Sequence, residues 1–209
     1  MSVEAGYNQW AATYDEVANP TRDLEKEACE TMLQGRVGGT VLELGGGTGK
    51  NTGWLAERCE RLVSADLSRE MQAVARAKVT AANVEFRIGD VREKWQFGTG
   101  FDLITCSLIL EHVEDLGHIF REAANALRPA GLFYICELHP FKQYAGSKAR
   151  FEFEGGEKVL ECYRHHVTDY TKAAAAAGFV VEDVSEWFDG GDRAELPRLI
   201  AFLFRNKAR

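Results

Sequence analysis

The sequence predicts an α/β domain built on a doubly wound, mostly parallel sheet, and three observations carry that reading. Short apolar runs alternate with helical patterns in series: 41–44 then 52–58, 62–66 then 67–78, and 101–106 then 115–127. These runs hold few polar residues, as strands covered on both faces do. The first run also breaks directly into Gly45-Gly46-Gly47-Thr48-Gly49 before a helical pattern resumes at Asn51. A glycine turn at the carboxyl end of a parallel strand is where such sheets carry ligands.

Taken in order, residues 7–33 read mainly as helix: Trp10, Tyr14 and Val17, then Leu24, Ala28, Met32 and Leu33 after the turn Asn19-Pro20-Thr21, recur at helical spacing. This predicts a helical cap over 1–35. Leu62 to Ala65 form a second strand ending at Asp66, followed by a helix to Lys78. Val84, Phe86 and Ile88 alternate with period two and end in Gly89-Asp90-Val91. The fourth strand, 101–106, runs into Ser107-Leu108-Ile109-Leu110-Glu111-His112-Val113. Leu116, Ile119, Phe120, Ala123, Ala124 and Leu127 then mark a helix capped by Asp115 and stopped by Pro129, and Gly131 releases a fifth strand, 132–138.

Beyond it Phe151-Glu152-Phe153-Glu154 alternates, Gly155-Gly156 turns and 159–163 alternates again, predicting a β-hairpin within a flap or lid insertion, 140–166. Thr168 caps a helix to Ala177, Gly178 ends it, and 179–184 and 196–204 are the last strands, with Pro197 near the start of the second. The connection 185–195 is too short for a crossover helix with its turns.

At 209 residues and 45% hydrophobic, the chain fits one domain, 1–209. A formal net charge of −7 argues against broad nucleic-acid binding and makes a small neutral or polar molecule the default partner, for a monomer or homodimer. Cys29, Cys59, Cys106, Cys136 and Cys162 are odd in number and scattered, which fits a reducing cytoplasm. No basic-then-apolar leader opens the chain and no apolar run approaches ~20 residues, so neither export nor a membrane span is expected.

Glycines at 45–49 let the backbone turn tightly and let a ligand lie against main-chain N–H groups. The dinucleotide pattern G-x-G-x-x-G fails, because its third glycine would be Lys50 or, one register on, Thr52. The phosphate loop fails too, since Asn51 follows Gly49-Lys50 and Leu44 stands where its first glycine belongs. What the stretch spells is Glu43-x-Gly45-x-Gly47-x-Gly49. It resembles the first motif of the class I S-adenosylmethionine-dependent methyltransferases, and the resemblance extends over nearly the whole chain. It implies a seven-stranded Rossmann-like sheet with an antiparallel last strand at one edge. It also implies S-adenosyl-L-methionine as cofactor, S-adenosyl-L-homocysteine as product, and in-line methyl transfer to an O, N or C atom of a small molecule.

A buried carboxylate at Glu43 suits a ligand that carries a sulfonium and an ammonium, and would repel a phosphate. Asp66, some 20 residues past the glycine turn, is placed to accept from both hydroxyls of a ribose or to cap the following helix, with Leu67 and Met71 beside it. By the resemblance, Asp90 with Val91 binds the adenine amino group, although a turn Asp is the plain alternative. Backbone groups at Ser107 and Leu108 correspond to those that hold the methionine end. The opening segment 7–15 matches one whose aromatic residues lie over the cofactor, here Tyr14, and wall the substrate site, here Tyr7 and Trp10; the same stripe could be ordinary core.

The sulfonium is already activated, so alignment of the acceptor and exclusion of water, worth ~7–11 kcal/mol, are the protein's main task. A base is needed only when the acceptor must lose a proton. His139 is the first candidate, at the carboxyl end of the fifth strand; His165 and His166 follow the flap, and His112 is assigned a structural or cofactor-side role. Tyr144, Arg150 and Tyr163 either shape the substrate pocket or are packing and solvated residues. His139, His165, His166, Glu137 and Cys162 are metal-ligand types at no recognised spacing, so no metal is expected. Two alternatives stand beside the methyltransferase: a non-catalytic binding protein of the same fold and, disfavoured by the failed fingerprint, an NAD-type oxidoreductase. Methylation of nucleic-acid bases is disfavoured as well, because Ser107-Leu108-Ile109-Leu110 replaces the Asn- or Asp-Pro-Pro-aromatic motif of that branch.

Overall fold

The structure is a computed structural model that describes residues 2–147, 150–153 and 156–207, the segments 150–153 and 156–159 by their backbone. Among the described residues nine strands follow in chain order: β1 (Thr40–Leu44), β2 (Arg61–Asp66), β3 (Val84–Ile88), β4 (Phe101–Ser107), β5 (Leu127–Leu138), β6 (Arg150–Phe153), β7 (Gly156–Val159), β8 (Phe179–Trp187) and β9 (Leu199–Asn206). Seven form one sheet in the order β3-β2-β1-β4-β5-β9-β8, and β6 and β7 pair separately as an antiparallel hairpin. The first five strands of that sheet run parallel, while β9 is antiparallel to both β5 and β8. This is the seven-stranded doubly wound sheet with its antiparallel edge. The strand order reverses between β1 and β4, so the crevice for a ligand opens at their carboxyl ends.

Alternation along the strands feeds two cores. Leu42, Leu44, Ile104 and Cys106 face a cluster with Ile119 and Phe120 of α5 (Leu116–Ala126) and Tyr170 and Ala174 of α7 (Val167–Ala176). Val41 and Leu103 face the other cluster, with Ala28, Cys29 and Leu33 of α2 (Pro20–Leu33) and Leu55 of α3 (Thr52–Ala56). Burial on both faces is why these strands read as continuous apolar runs. Phe120 anchors the first core, with ring centroids 5.4 Å from Phe133, 5.8 Å from Phe179 and 5.2 Å from Phe204.

Several boundaries differ from expectation, each for a local reason. The first helix, α1 (Val3–Trp10), starts earlier, with the Ser2 hydroxyl accepting from Ala5 N–H, and it ends at Trp10. The chain then turns, because the Arg22 guanidinium donates to the carbonyls of Tyr14 and Val17 and folds this segment back on α2; Val17 is exposed. Asn19 caps α2 with Pro20 in its first turn, where a missing N–H costs nothing. Leu127 belongs to β5 and pairs with Phe101, so Pro129 does not stop the helix; residues 128–131 lie in a register shift between the pairs Phe101–Leu127 and Leu103–Leu132. The second hairpin strand is β7, not 159–163. His166, not Thr168, caps α7, with the Asp169 carboxylate accepting from His166 N–H at 2.8 Å. β8 extends to Trp187, and β9 begins at Leu199, past Pro197.

Candidate active site

The glycine turn is fixed from below: Gly45 and Gly46 N–H both donate to the Ala65 carbonyl, at 2.8 and 3.2 Å. Gly45 takes φ +71° and a Cβ there would strike the Ile109 side chain, whereas one on Gly47, φ +54°, would find nothing closer than 3.9 Å. The loop is packed on one side and open on the other. The open side is a cleft that gathers the strand ends, the turn after β4 and the amino-terminal segment.

Tyr14, Glu43, Gly45, Gly47, Asp66, Leu67, Met71, Asp90, Val91, Ser107 and Leu108 all line that cleft, and so does Tyr7. Gly49 does not; with φ +85° it closes the turn by donating to Gly46 O at 2.9 Å and packs on Ala75 of α4 (Arg69–Lys78). Asp66 does more than one job. Its Oδ2 accepts from Gly47 N–H at 2.8 Å and its Oδ1 from Ser68 N–H at 2.7 Å, while the cap of α4 is Ser68, whose hydroxyl accepts from Met71 N–H at 3.1 Å. A carboxylate has about four lone-pair sites, so these backbone donors leave acceptor capacity for a ligand. Burial raises the Asp66 pKa, against those backbone donors.

Glu43 is buried and its Oε2 accepts from the hydroxyls of Thr52 at 2.6 Å and Ser64 at 2.7 Å; burial nevertheless pushes its pKa to about 7. Sequence reasoning missed its neighbours. Glu25, from α2, lines the same end and accepts from the Asn51 amide at 3.1 and 3.0 Å, with burial raising its pKa. Arg22 is 8% exposed, lies 4.1 Å over the Tyr14 ring, and among the described residues its buried Nε has no hydrogen-bond acceptor. Lys50 Nζ donates to the Arg22 carbonyl and to Asp23 at 3.2 Å. Two cations and two carboxylates therefore meet beside the glycine turn.

At the other end Arg92 grips Asp90, Nε at 2.9 and 3.1 Å and Nη2 at 2.6 Å from its oxygens. Burial, which raises the Asp90 pKa, is outweighed by these bonds, and it is held below the usual carboxylate range. Past β4, Leu108 sits at φ +56° and donates its N–H to Cys136 O at 2.9 Å, while Ile109 and Leu110 N–H donate to Glu137 Oε1 at 3.0 and 2.9 Å. Glu137, fully buried, is thereby a brace beneath the 3₁₀ turn Leu110–His112. His112 lines the cleft; its Nε2 lies 3.0 Å from the Tyr7 hydroxyl and its Nδ1 2.8 Å from Glu161 O.

The other histidines are elsewhere. His139, expected as the base, is 1% exposed and outside the cleft lining. Its Nδ1 accepts from Phe141 N–H at 3.2 Å, capping α6 (Pro140–Tyr144), and its Nε2 lies 3.3 Å from Glu186 of β8; burial lowers its pKa. His165 Nε2–H donates to Val113 O at 2.7 Å, and His166 Nε2 is 3.4 Å from the Tyr144 hydroxyl, both outside the cleft lining. Tyr144 is exposed with the Arg164 guanidinium 3.9 Å over its ring. Trp10 packs edge-on to Tyr14, 4.6 Å between centroids, behind the cleft wall. Tyr163 contributes its N–H to Glu111 O at 2.6 Å, and the Arg150 side chain lies outside the described residues. Among the described residues no three His, Cys, Asp or Glu side chains could hold a metal ion.

Comparison with known proteins agrees with this geometry. Residues 42–135 match a family model described as a methyltransferase domain. A ubiquinone biosynthesis O-methyltransferase of Xanthomonas euvesicatoria is 31% identical over 176 residues, covering 80% of this chain and 72% of that one. Its counterpart in Xanthomonas oryzae is 31% identical over 157 residues, so the match takes in 71% of this chain and 65% of the length of that relative. Among solved structures, the DhpI–SAH complex superposes with TM-score 0.76 at 24% identity, covering 98% of this chain and 95% of that one. An S-adenosylmethionine-dependent methyltransferase from Mesorhizobium loti gives 0.74 at 24% identity, with 90% and 100% covered. At these identities the superpositions establish the fold.

Proposed function

The chain belongs to the class I S-adenosylmethionine-dependent methyltransferases, and on that premise we propose that it transfers a methyl group from S-adenosyl-L-methionine to an oxygen of a small-molecule acceptor. The observation that carries the reading is the charge pattern of the cleft. Arg22 and Lys50 beside the glycine turn suit a carboxylate, and the buried, acceptorless Nε of Arg22 is a donor awaiting one. Glu25 and Glu43 at the same end suit an ammonium and a sulfonium. Asp66, with lone-pair capacity left beside the open face of Gly47, suits a vicinal diol, and Asp90, whose carboxylate is shared with Arg92, suits an adenine amino group. A pyrophosphate would meet the carboxylates of Glu43 and Asp66 instead, which disfavours a dinucleotide.

The bound cofactor would supply a methyl group already activated on sulfur. The chain's own contribution is to orient and to exclude water, with Tyr7 and Tyr14 closing the cleft from α1 and the turn after it. Oxygen as the accepting atom is supported by the name of the 31%-identical relatives, O-methyltransferases, and the odd, scattered set of five cysteines supports a reducing cytoplasm as its location. Incubation with methyl-¹³C-labelled S-adenosyl-L-methionine and catechol, followed by mass spectrometry, tests the reading. A labelled methyl ether is expected; tight cofactor binding with no label transferred to any hydroxyl, amine or carbon acceptor offered would replace it with the non-catalytic alternative.

A further inference from the structure

We propose that Tyr7 and His112 together form the proton acceptor of this site, and that docking of residues 161–163 on the Leu110–His112 turn holds the imidazole in its accepting tautomer. The inference rests on the methyl-transfer reading and specifies its substrate class: an un-ionised alcohol or phenol.

The tautomer follows from the contacts. A backbone carbonyl can only accept, so the 2.8 Å contact between His112 Nδ1 and Glu161 O puts the ring proton on Nδ1. Nε2 is left with a lone pair, and the Tyr7 hydroxyl, 3.0 Å away, donates to it. The same two segments are clamped a second time by Tyr163 N–H on Glu111 O at 2.6 Å, and Leu160, just before Glu161, packs so closely on Gly6 of α1 that a Cβ there would run into it. The segment after the β6–β7 hairpin thus fixes both the base and the helix that carries its hydroxyl partner. Burial, then the negative charges of Tyr14, Glu111, Asp66 and Cys162, push the Tyr7 phenol well above its ordinary pKa. Tyr7 therefore stays protonated at rest, and it gives up a proton only while receiving one.

In the transfer the acceptor's O–H bond breaks as its O–CH3 bond forms. The released proton passes to Tyr7 Oη while Tyr7's own proton passes to His112 Nε2. The electron pair of the broken S–CH3 bond stays on sulfur, so the sulfonium becomes a neutral thioether. Positive charge leaves sulfur and appears on the imidazolium, and the cleft's net charge is unchanged. An acceptor already ionised in solution has no need of this relay.

Long-range ¹H–¹⁵N spectra of the full chain labelled with ¹⁵N-histidine read the tautomer directly, with no requirement for turnover. Nδ1–H at His112 is expected, and Nε2–H would overturn the proposal. Calorimetry with S-adenosyl-L-homocysteine on the same samples tests the methyl-transfer reading separately, because the tautomer is set by the protein alone. In turnover, Tyr7→Phe and His112→Gln should lower kcat ~10²–10⁴-fold with catechol and far less with 4-nitrocatechol, which is ionised near neutral pH. Equal losses on both acceptors would assign the pair to packing.

Discussion

Burial holds the Glu43 carboxyl near a pKa of about 7 and that of Glu137 near about 8, against an ordinary 4.5, even though each accepts two hydrogen bonds. Both are raised, so between 4.5 and those values the folded chain keeps a proton that the unfolded chain has released. Stability must then fall as pH rises through that window, by at most roughly 1.4 kcal/mol per pH unit for each group. Urea unfolding across pH 5–8 should show this negative slope, and Glu137→Gln should make it shallower; an unchanged slope would show that Glu137 is ionised in the fold. Single residues also mark the limit of what sequence discloses. Asp66 and Glu43 announce themselves because their positions are set by the strand they end. Arg22 and Glu25 reach the cleft only through packing of a distant helix, and nothing in their neighbours' spacing signals it.

At the scale of elements, the glycine turn was legible because strand, turn and helix are contiguous, and each device there is local. The start of β5 was not. Leu127 looks like the last turn of α5, yet it pairs with Phe101 across a register shift in which Ala130 sits at φ +62°. That left-handed conformation costs a residue with a Cβ about 1–2 kcal/mol. Ala130→Gly should raise stability by up to about 1 kcal/mol once the flexibility of the unfolded glycine is discounted, and Gly131→Ala should lower it, since a Cβ there comes within 3.0 Å of Arg128 O and 3.1 Å of Phe101 O. Denaturant midpoints would check both signs. His139 lies outside the cleft lining for a reason of the same scale: it directly follows β5, as expected, but α6 begins on it and its ring faces Glu186 of β8.

The molecule as a whole places its chemistry where the strand order reverses, between β1 and β4, and closes it with segments from both ends of the chain's first 163 residues. The sheet itself is written in the sequence, because a strand buried on two faces must be apolar along its length. The closing segments are not, because an aromatic helix such as α1 and a hairpin such as β6–β7 carry the same patterns whether they cover a ligand or a core. Calorimetric titration with S-adenosyl-L-homocysteine, with NAD in parallel and with Asp66→Asn as the variant, tests the central claim most directly. Binding of the homocysteine compound at a Kd of ~1 μM, none of NAD, and a ~10–100-fold loss in the variant are the expected results, the loss being that of a charge-assisted hydrogen-bond pair. Binding of NAD alone, or no binding of either, would contradict the account.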